Sequence, residues 1–321
     1  MDYVVLDLEW NQCPFGKEEE NRELPFEIIE IGAIKLNENM EQTGEFGEVI
    51  RPQIYPALHY KTKEIIQIEM KELSTGRYFS EVAKDFFKWC GDEFIFCTWG
   101  EVDLTELQRN LKFYNLGYLM GEKPVYFYNV QKLFSILYED RKKRRTLEFA
   151  VEYLGIEKTV PFHRAKSDTF YTARILKKMD FESVKQDFSI DVYYHPRVKK
   201  EEIYVTYKTY SKYISREFPG KEEVMSDREV VSTRCYLCGR SLRKKIRWFS
   251  CNTKVYYCLA SCPEHGYLRG KIRMKKTAEG KIFAIKILKL VDDETAGMIR
   301  KKKDELVLKR RIKRQKARIE E

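Results

Sequence analysis

The sequence predicts an α/β protein: a mixed sheet flanked by helices, then a small β-rich domain with a cysteine cluster, then a basic helix. Three observations carry this. Apolar, β-branched runs alternate with segments of helical period through the first 180 residues. Five of the eight cysteines crowd between Cys235 and Cys262. Charge is divided as well: from Val231 to Glu321 there are 26 Lys and Arg against 9 Asp and Glu, a net of +17, so residues 1–230 carry −7 of the formal +10. A basic third beside an acidic body suggests that one part gathers a polyanion on which the other acts. The expected divisions are 1–180, a linker or packed extension over 181–230, a cysteine-bearing domain over 231–291 and a basic helical tail over 292–321.

With 43% hydrophobic and 34% charged residues and no apolar run of membrane-spanning length, the composition is that of a soluble globular chain. Strand-like sequence begins at Tyr3, which leaves no room for a secretory leader and points to the cytoplasm. There the cysteines are thiols or metal ligands.

The opening strand, Tyr3 to Trp10, places Asp7 and Glu9 two positions apart on one face, where two like charges call for solvent or a divalent cation. Asn11 to Phe26 is a polar loop, and Glu27 to Leu36 and Gly44 to Arg51 are further strands of a meander. Lys61 to Met70 and Phe79 to Cys90 have helical spacing. Glu93 to Thr98 is a buried strand, with Asp103 just beyond its end, where open α/β sheets place functional groups. Leu104 to Leu116 is a helix, Pro124 to Val130 a strand, and Gln131 to Tyr138 and Thr146 to Leu154 helices. His163 leads into a last amphipathic helix, Arg164 to Met179, with Asp168 about one and a half turns on, so that both can border one pocket. His59 and His195 have only capping or surface readings.

The order D-x-E on the first strand, a lone Asp after a later strand, and H-x4-D entering a late helix resembles the DEDDh 3′-to-5′ exonucleases. That group includes polymerase proofreading subunits, oligoribonuclease, RNase T and the histone-mRNA exonucleases. The resemblance covers roughly Met1 to Asp180 and implies a ribonuclease H-like fold. It further implies that Asp7, Glu9, Asp103 and Asp168 hold two Mg²⁺ or Mn²⁺ ions, that His163 is the general base, and that nucleoside 5′-monophosphates leave from a 3′ end. Hard cations prefer carboxylate oxygen, and a neutral imidazole suits removal of a proton from water. Many members carry Thr two residues after the first Glu, whereas Glu9 is followed by Trp10-Asn11. Trp10 could stack on a base and Asn11 hydrogen-bond the terminal nucleotide; equally, both could pack and cap the strand end. Arg164 and Lys166 are placed to touch the scissile phosphate, or to solvate the helix.

Cys235-Tyr-Leu-Cys238-Gly has the form of a zinc knuckle. Cys262-Pro-Glu-His265-Gly repeats it, which favours Cys262 and His265 as the second ligand pair, with Cys258 a strand residue or alternative ligand. Apolar stretches between and after them suggest a zinc ribbon. Arg240, Arg243, Lys245, Arg247, Arg269, Lys271 and Arg273, interleaved with Trp248, Tyr256 and Tyr267, make a phosphate-tracking surface plausible. The sequence therefore points to a metal-dependent 3′-to-5′ exonuclease on single-stranded RNA or DNA, with RNA slightly preferred from the likeness to the histone-mRNA group. A protein partner on the ribbon or tail stays open. The competing reading is a non-catalytic nucleic-acid-binding protein that uses the zinc ribbon.

Overall fold

A computed structural model describes residues 1–66 and 68–317, and these divide into two compact units, Met1–Tyr194 and His195–Glu321. In the first, strands β1 (Asp2–Gln12), β2 (Phe26–Leu36) and β3 (Gln42–Val49) form the expected antiparallel meander. Helices α1 (Tyr60–Ile66), α2 (Met70–Ser74) and α3 (Phe79–Cys90) carry the chain to β4 (Phe94–Thr98), parallel to β1, since a parallel pair needs a crossover rather than a tight turn. Helix α4 (Val102–Phe113) leads to β5 (Val125–Asn129), parallel to β4. Helices α5 (Val130–Tyr138), α6 (Leu147–Tyr153), α7 (Ala165–Lys178) and α8 (Phe181–Val184) precede the short antiparallel β6 (Ser189–Asp191). The sheet order is β3-β2-β1-β4-β5-β6, the mixed α/β architecture of the ribonuclease H-like fold.

Alternation along β1 sorts its side chains between two cores. Val4, Leu6 and Leu8 pack with Phe86, Leu104 and Leu107 from α3 and α4. Tyr3 and Val5 pack with Leu133, Tyr171 and Leu176 from α5 and α7. Asp7 and Glu9 continue that second set and so emerge on the α7 side.

The second unit contains β7 (Ile203–Tyr207), β8 (Tyr210–Phe218), α9 (Lys221–Ser226), α10 (Arg228–Val231), β9 (Arg243–Ser250), β10 (Val255–Cys262), β11 (Gly266–Lys276), β12 (Ile282–Val291) and α11 (Asp293–Ala317). Its sheet is antiparallel throughout, in the order β7-β8-β12-β11-β10-β9. The stretch 181–230, read from sequence as linker or packed extension, thus supplies one strand to the first sheet and two to the second. The reason is pairing: without β8, strand β12 would be an open edge. Lys286 on β12 ties the intervening helices down, its buried ammonium donating to the carbonyls of Glu229 (2.5 Å) and Ser232 (3.2 Å) at the end of α10. Residues 318–321 of the expected tail lie outside the described residues.

Gly32, the register partner of Asp7, is where α7 meets the sheet. A Cβ there would lie 2.3 Å from the carbonyl carbon and oxygen of Ala165. Gly32→Ala should therefore force the start of α7 away from β1, with a cost of about 1–3 kcal/mol in urea unfolding. An unchanged midpoint would show that this contact does not hold the helix in place.

Candidate active site and thiol–imidazole cluster

The carboxylates meet because the starts of two helices abut one strand. Asp7 and Glu9 come from the middle and second half of β1, and Asp168 from the first turn of α7, which the bare Gly32 lets approach. One carboxylate oxygen from each of the three lies within 4.8 Å of the others. Asp103 joins from the first turn of α4, its Oδ1 accepting the Leu8 N–H at 3.3 Å. A fifth acid, Glu30, stands opposite Glu9 in the β1–β2 register, next to an irregularity in the pairing.

This crowding shows in the proton affinities. Asp7 is held well above the usual carboxylate range by burial and by Asp103, Glu9 and Asp168. Burial and the charges of Asp168 and Glu30 lift Glu9 to about 8. Asp103 rises to about 7 and Asp168 to about 6, burial again leading; N–H groups oppose it, that of Leu8 at Asp103 and that of His163 at Asp168. Oxygen ligands at short range, short of compensating cations, fit the requirements of hard divalent ions.

His163 lies before α7 rather than in it, exposed, with φ +67. Its N–H donates to both oxygens of Asp168 at 3.3 Å. The preceding loop is pinned by the buried Tyr171, whose hydroxyl accepts from Val160 N (3.0 Å) and donates to Val160 O (2.6 Å), while Phe162 stacks on its ring at 4.5 Å.

The four residues expected at the substrate are already engaged. Asn11 is fully buried, its amide donating to Ala57 O (2.8 Å) and accepting from His59 N (2.9 Å), so it clamps the loop that carries these residues. Trp10 is half-buried against Phe26, centroids 5.9 Å apart. Arg164 pairs with Glu30 (3.0 Å) and Glu72 (2.8 Å), and Lys166 with Glu45 (2.6 Å). These two cations, read from sequence as placed at the scissile phosphate or on a solvated helix face, have acids on β2, β3 and α2 as their partners in this structure. Sequence reading missed Glu30 and Gly32. The available signal was a carboxylate and a glycine inside an otherwise apolar buried strand.

In the second unit Cys235, Cys238, Cys262 and His265 come together, every ligand atom within 4.8 Å of the rest. Cys238 Sγ is 3.7 Å from Cys262 Sγ, and His265 Nδ1 is 3.6 Å from Cys235 Sγ and 3.5 Å from Cys262 Sγ. A tetrahedral ion with bonds of about 2.0–2.3 Å requires edges of about 3.5–3.8 Å. Both turns close with a left-handed glycine, Gly239 (φ +70) and Gly266 (φ +81). Burial opposes ionisation of Cys262, yet the His265 ring and the N–H groups of Glu264 and His265 draw it down to about 6. Cys258 stands apart, buried under Gly270 and pushed up to about 12 by that burial.

Residues 4–176 match the exonuclease family described as RNase_T, more than half of the chain. The chain belongs to that family, and it is an exonuclease. No curated protein matches it. Among solved structures it is similar to the nuclease domain of 3′hExo, a DEDDh family member, bound to rAMP, with 23% identity, a TM-score of 0.48 and coverage of 59% of this chain and 96% of that one. A full-length 3′-exonuclease gives 22% identity, a TM-score of 0.46 and coverage of 58% and 82%. E. coli exonuclease I in complex with a dA16 oligonucleotide gives 13%, 0.45, 81% and 54%. Likenesses this distant carry no further argument. Among the described residues no helix is long and apolar enough to cross a membrane.

The raised carboxylates set a pH dependence. Because their folded values exceed the unfolded ones near 4, the folded state holds extra protons, and the contribution of these groups to stability is full below about pH 4 and is lost as pH rises through 6 to 8. Metal-free protein should therefore lose Tm from pH 6 to pH 9, and Asp7→Asn should reduce that loss. A flat Tm profile in EDTA would contradict the crowding.

Proposed function

We propose that the protein removes nucleoside 5′-monophosphates from the 3′ end of single-stranded nucleic acid, RNA in preference to DNA, by metal-assisted hydrolysis. The observation that carries this is the meeting of Asp7, Glu9 and Asp168, with Asp103 alongside, in a chain of the exonuclease family. These four would hold two Mg²⁺ or Mn²⁺ ions, which when bound supply charge for the attacking and leaving oxygens. His163, exposed at the mouth of the cluster, takes the proton of the attacking water at its imidazole. Asp168 positions that residue through its backbone N–H, and Tyr171 holds the loop behind it. Arg164 neutralises Glu30 and so keeps a fifth negative charge from the incoming phosphate. The order of preference between RNA and DNA follows the motif likeness to the histone-mRNA exonucleases.

For the second unit we propose one structural Zn²⁺ on Cys235, Cys238, Cys262 and His265, in a domain that begins near His195 rather than at residue 231. Four-ligand closure leaves no open position for chemistry. A reducing compartment, the cytoplasm, suits its thiolates.

The catalytic reading is tested with 5′-labelled single-stranded RNA and DNA in Mg²⁺ or Mn²⁺. Wild type should shorten RNA stepwise from the 3′ end; His163→Ala should be slower by about 10²–10⁴-fold and Asp7→Ala inactive. Absence of shortening by wild type on either polymer would end the proposal. Metal analysis should find one zinc per chain, and Cys262→Ser should abolish it; freely reactive thiols without zinc would remove that claim.

A further inference from the structure

The two faces of the second unit's sheet are covered unequally. On one, Ile272, Met274 and Ala284 pack under α9 and α10, and Leu268 and Leu288 under the segment bearing Cys235. On the other, α11 covers the end near β9 and β10, through Ala296 and Ile299 against Ile246 and Leu259, with Tyr267 of β11 and Val291 of β12 packed at its margin. Strand β11 continues past it. Its buried Leu268, Gly270, Ile272 and Met274 alternate with Arg269, Lys271, Arg273 and Lys275, which therefore line the open face at steps of about 6.8 Å. Two cations reach the same place from α11: Arg300 over the Tyr267 ring at 5.0 Å, and Lys302 over Tyr257 at 5.0 Å, a ring shared with Lys271 at 5.9 Å. None of these six makes an ion pair among the described residues, although carboxylates pair with the cations of the first unit's site. The Nε of Arg269 is buried without a hydrogen-bond partner. Beside them on β12 the half-buried Ile285 and Ile287 oppose Arg273 and Lys271.

Like charges in a row repel, and here tyrosine faces hold Lys271, Arg300 and Lys302 in position with no carboxylate paired to the row among the described residues. We propose that this face is a second binding surface for single-stranded nucleic acid, with successive phosphates running along β11 and α11 as one wall. An even row of cations suits a polymer with one charge per repeat, and the isoleucines offer a floor for unstacked bases. The inference deepens the single-strand reading above and rests on it.

The test reads binding without chemistry. The full-length Asp7→Asn protein, zinc-loaded and in buffer without added Mg²⁺ or Mn²⁺, is titrated into fluorescein-labelled oligo(U), and anisotropy is followed at several salt concentrations. Affinity should fall with salt, and Lys271→Gln with Lys302→Gln should weaken binding about tenfold or more while lowering the log–log salt slope by about 0.7 for each phosphate no longer neutralised. Both side chains lie at the surface, and an unchanged Tm and zinc content establish that the fold is kept. Equal affinity and slope in the folded double variant, or no binding by the parent protein, would overturn the proposal. An acidic protein as the true occupant would give that second result. Failure of the nuclease reading shows separately, as absence of shortening by wild type.

Discussion

Repulsion among Asp7, Glu9, Asp103 and Asp168 is the constraint around which the first unit is built. Each pair at such range costs a few kcal/mol at an effective dielectric of about 20. What holds them is the frame: Val4, Val5, Leu6 and Leu8 are buried on both sides of β1, at about 1.5–3 kcal/mol per side chain. The same alternation that fills the two cores turns the next two odd positions into carboxylates on the α7 side. Local electrostatic strain is thus carried by packing a few residues away, a common arrangement for sites that must accept a cation.

Relief is partial and specific. Asp103 and Asp168 each receive a backbone N–H, from Leu8 and His163, whereas burial and the neighbouring acids all raise the proton affinity of Asp7. Glu30 receives both the Arg164 guanidinium and the Ala165 N–H (3.3 Å). One ion pair therefore joins β2 to the start of α7, and the bare Gly32 two residues along the strand permits the close approach. Position and neutralisation come from the same contact.

The parts legible in sequence were those that depend on local period. Strand alternation put Asp7 and Glu9 on one face, and the ends of β4 and the last long helix located Asp103, His163 and Asp168. The mixed sheet followed from the order of strands and helices. What could not be read was tertiary register. Glu30 faces Glu9 only because β2 pairs antiparallel with β1, and Asn11 looked available until its amide met Ala57 and His59 across the loop. Strands β7 and β8 were hidden for a different reason: IYVTY is only five residues long with no charged position to mark a solvent face, and YSKYISREF mixes tyrosine with serine, lysine and arginine, so period 2 left little contrast.

Charge division between the units has a mechanistic consequence. Residues 1–194 carry a net −8 and residues 195–321 a net +18, and two cations of the first unit's site, Arg164 and Lys166, are already paired. A polyanion approaching that site meets like charge until metal is bound. Attraction from elsewhere on the chain must be local too, since at physiological salt exposed charges are screened beyond about 8 Å. The row proposed along β11 and α11 would act by such short-range attraction, which a diffuse positive net charge would not supply. It can hold the polymer by several phosphates at once, so that release at any one of them does not end the encounter.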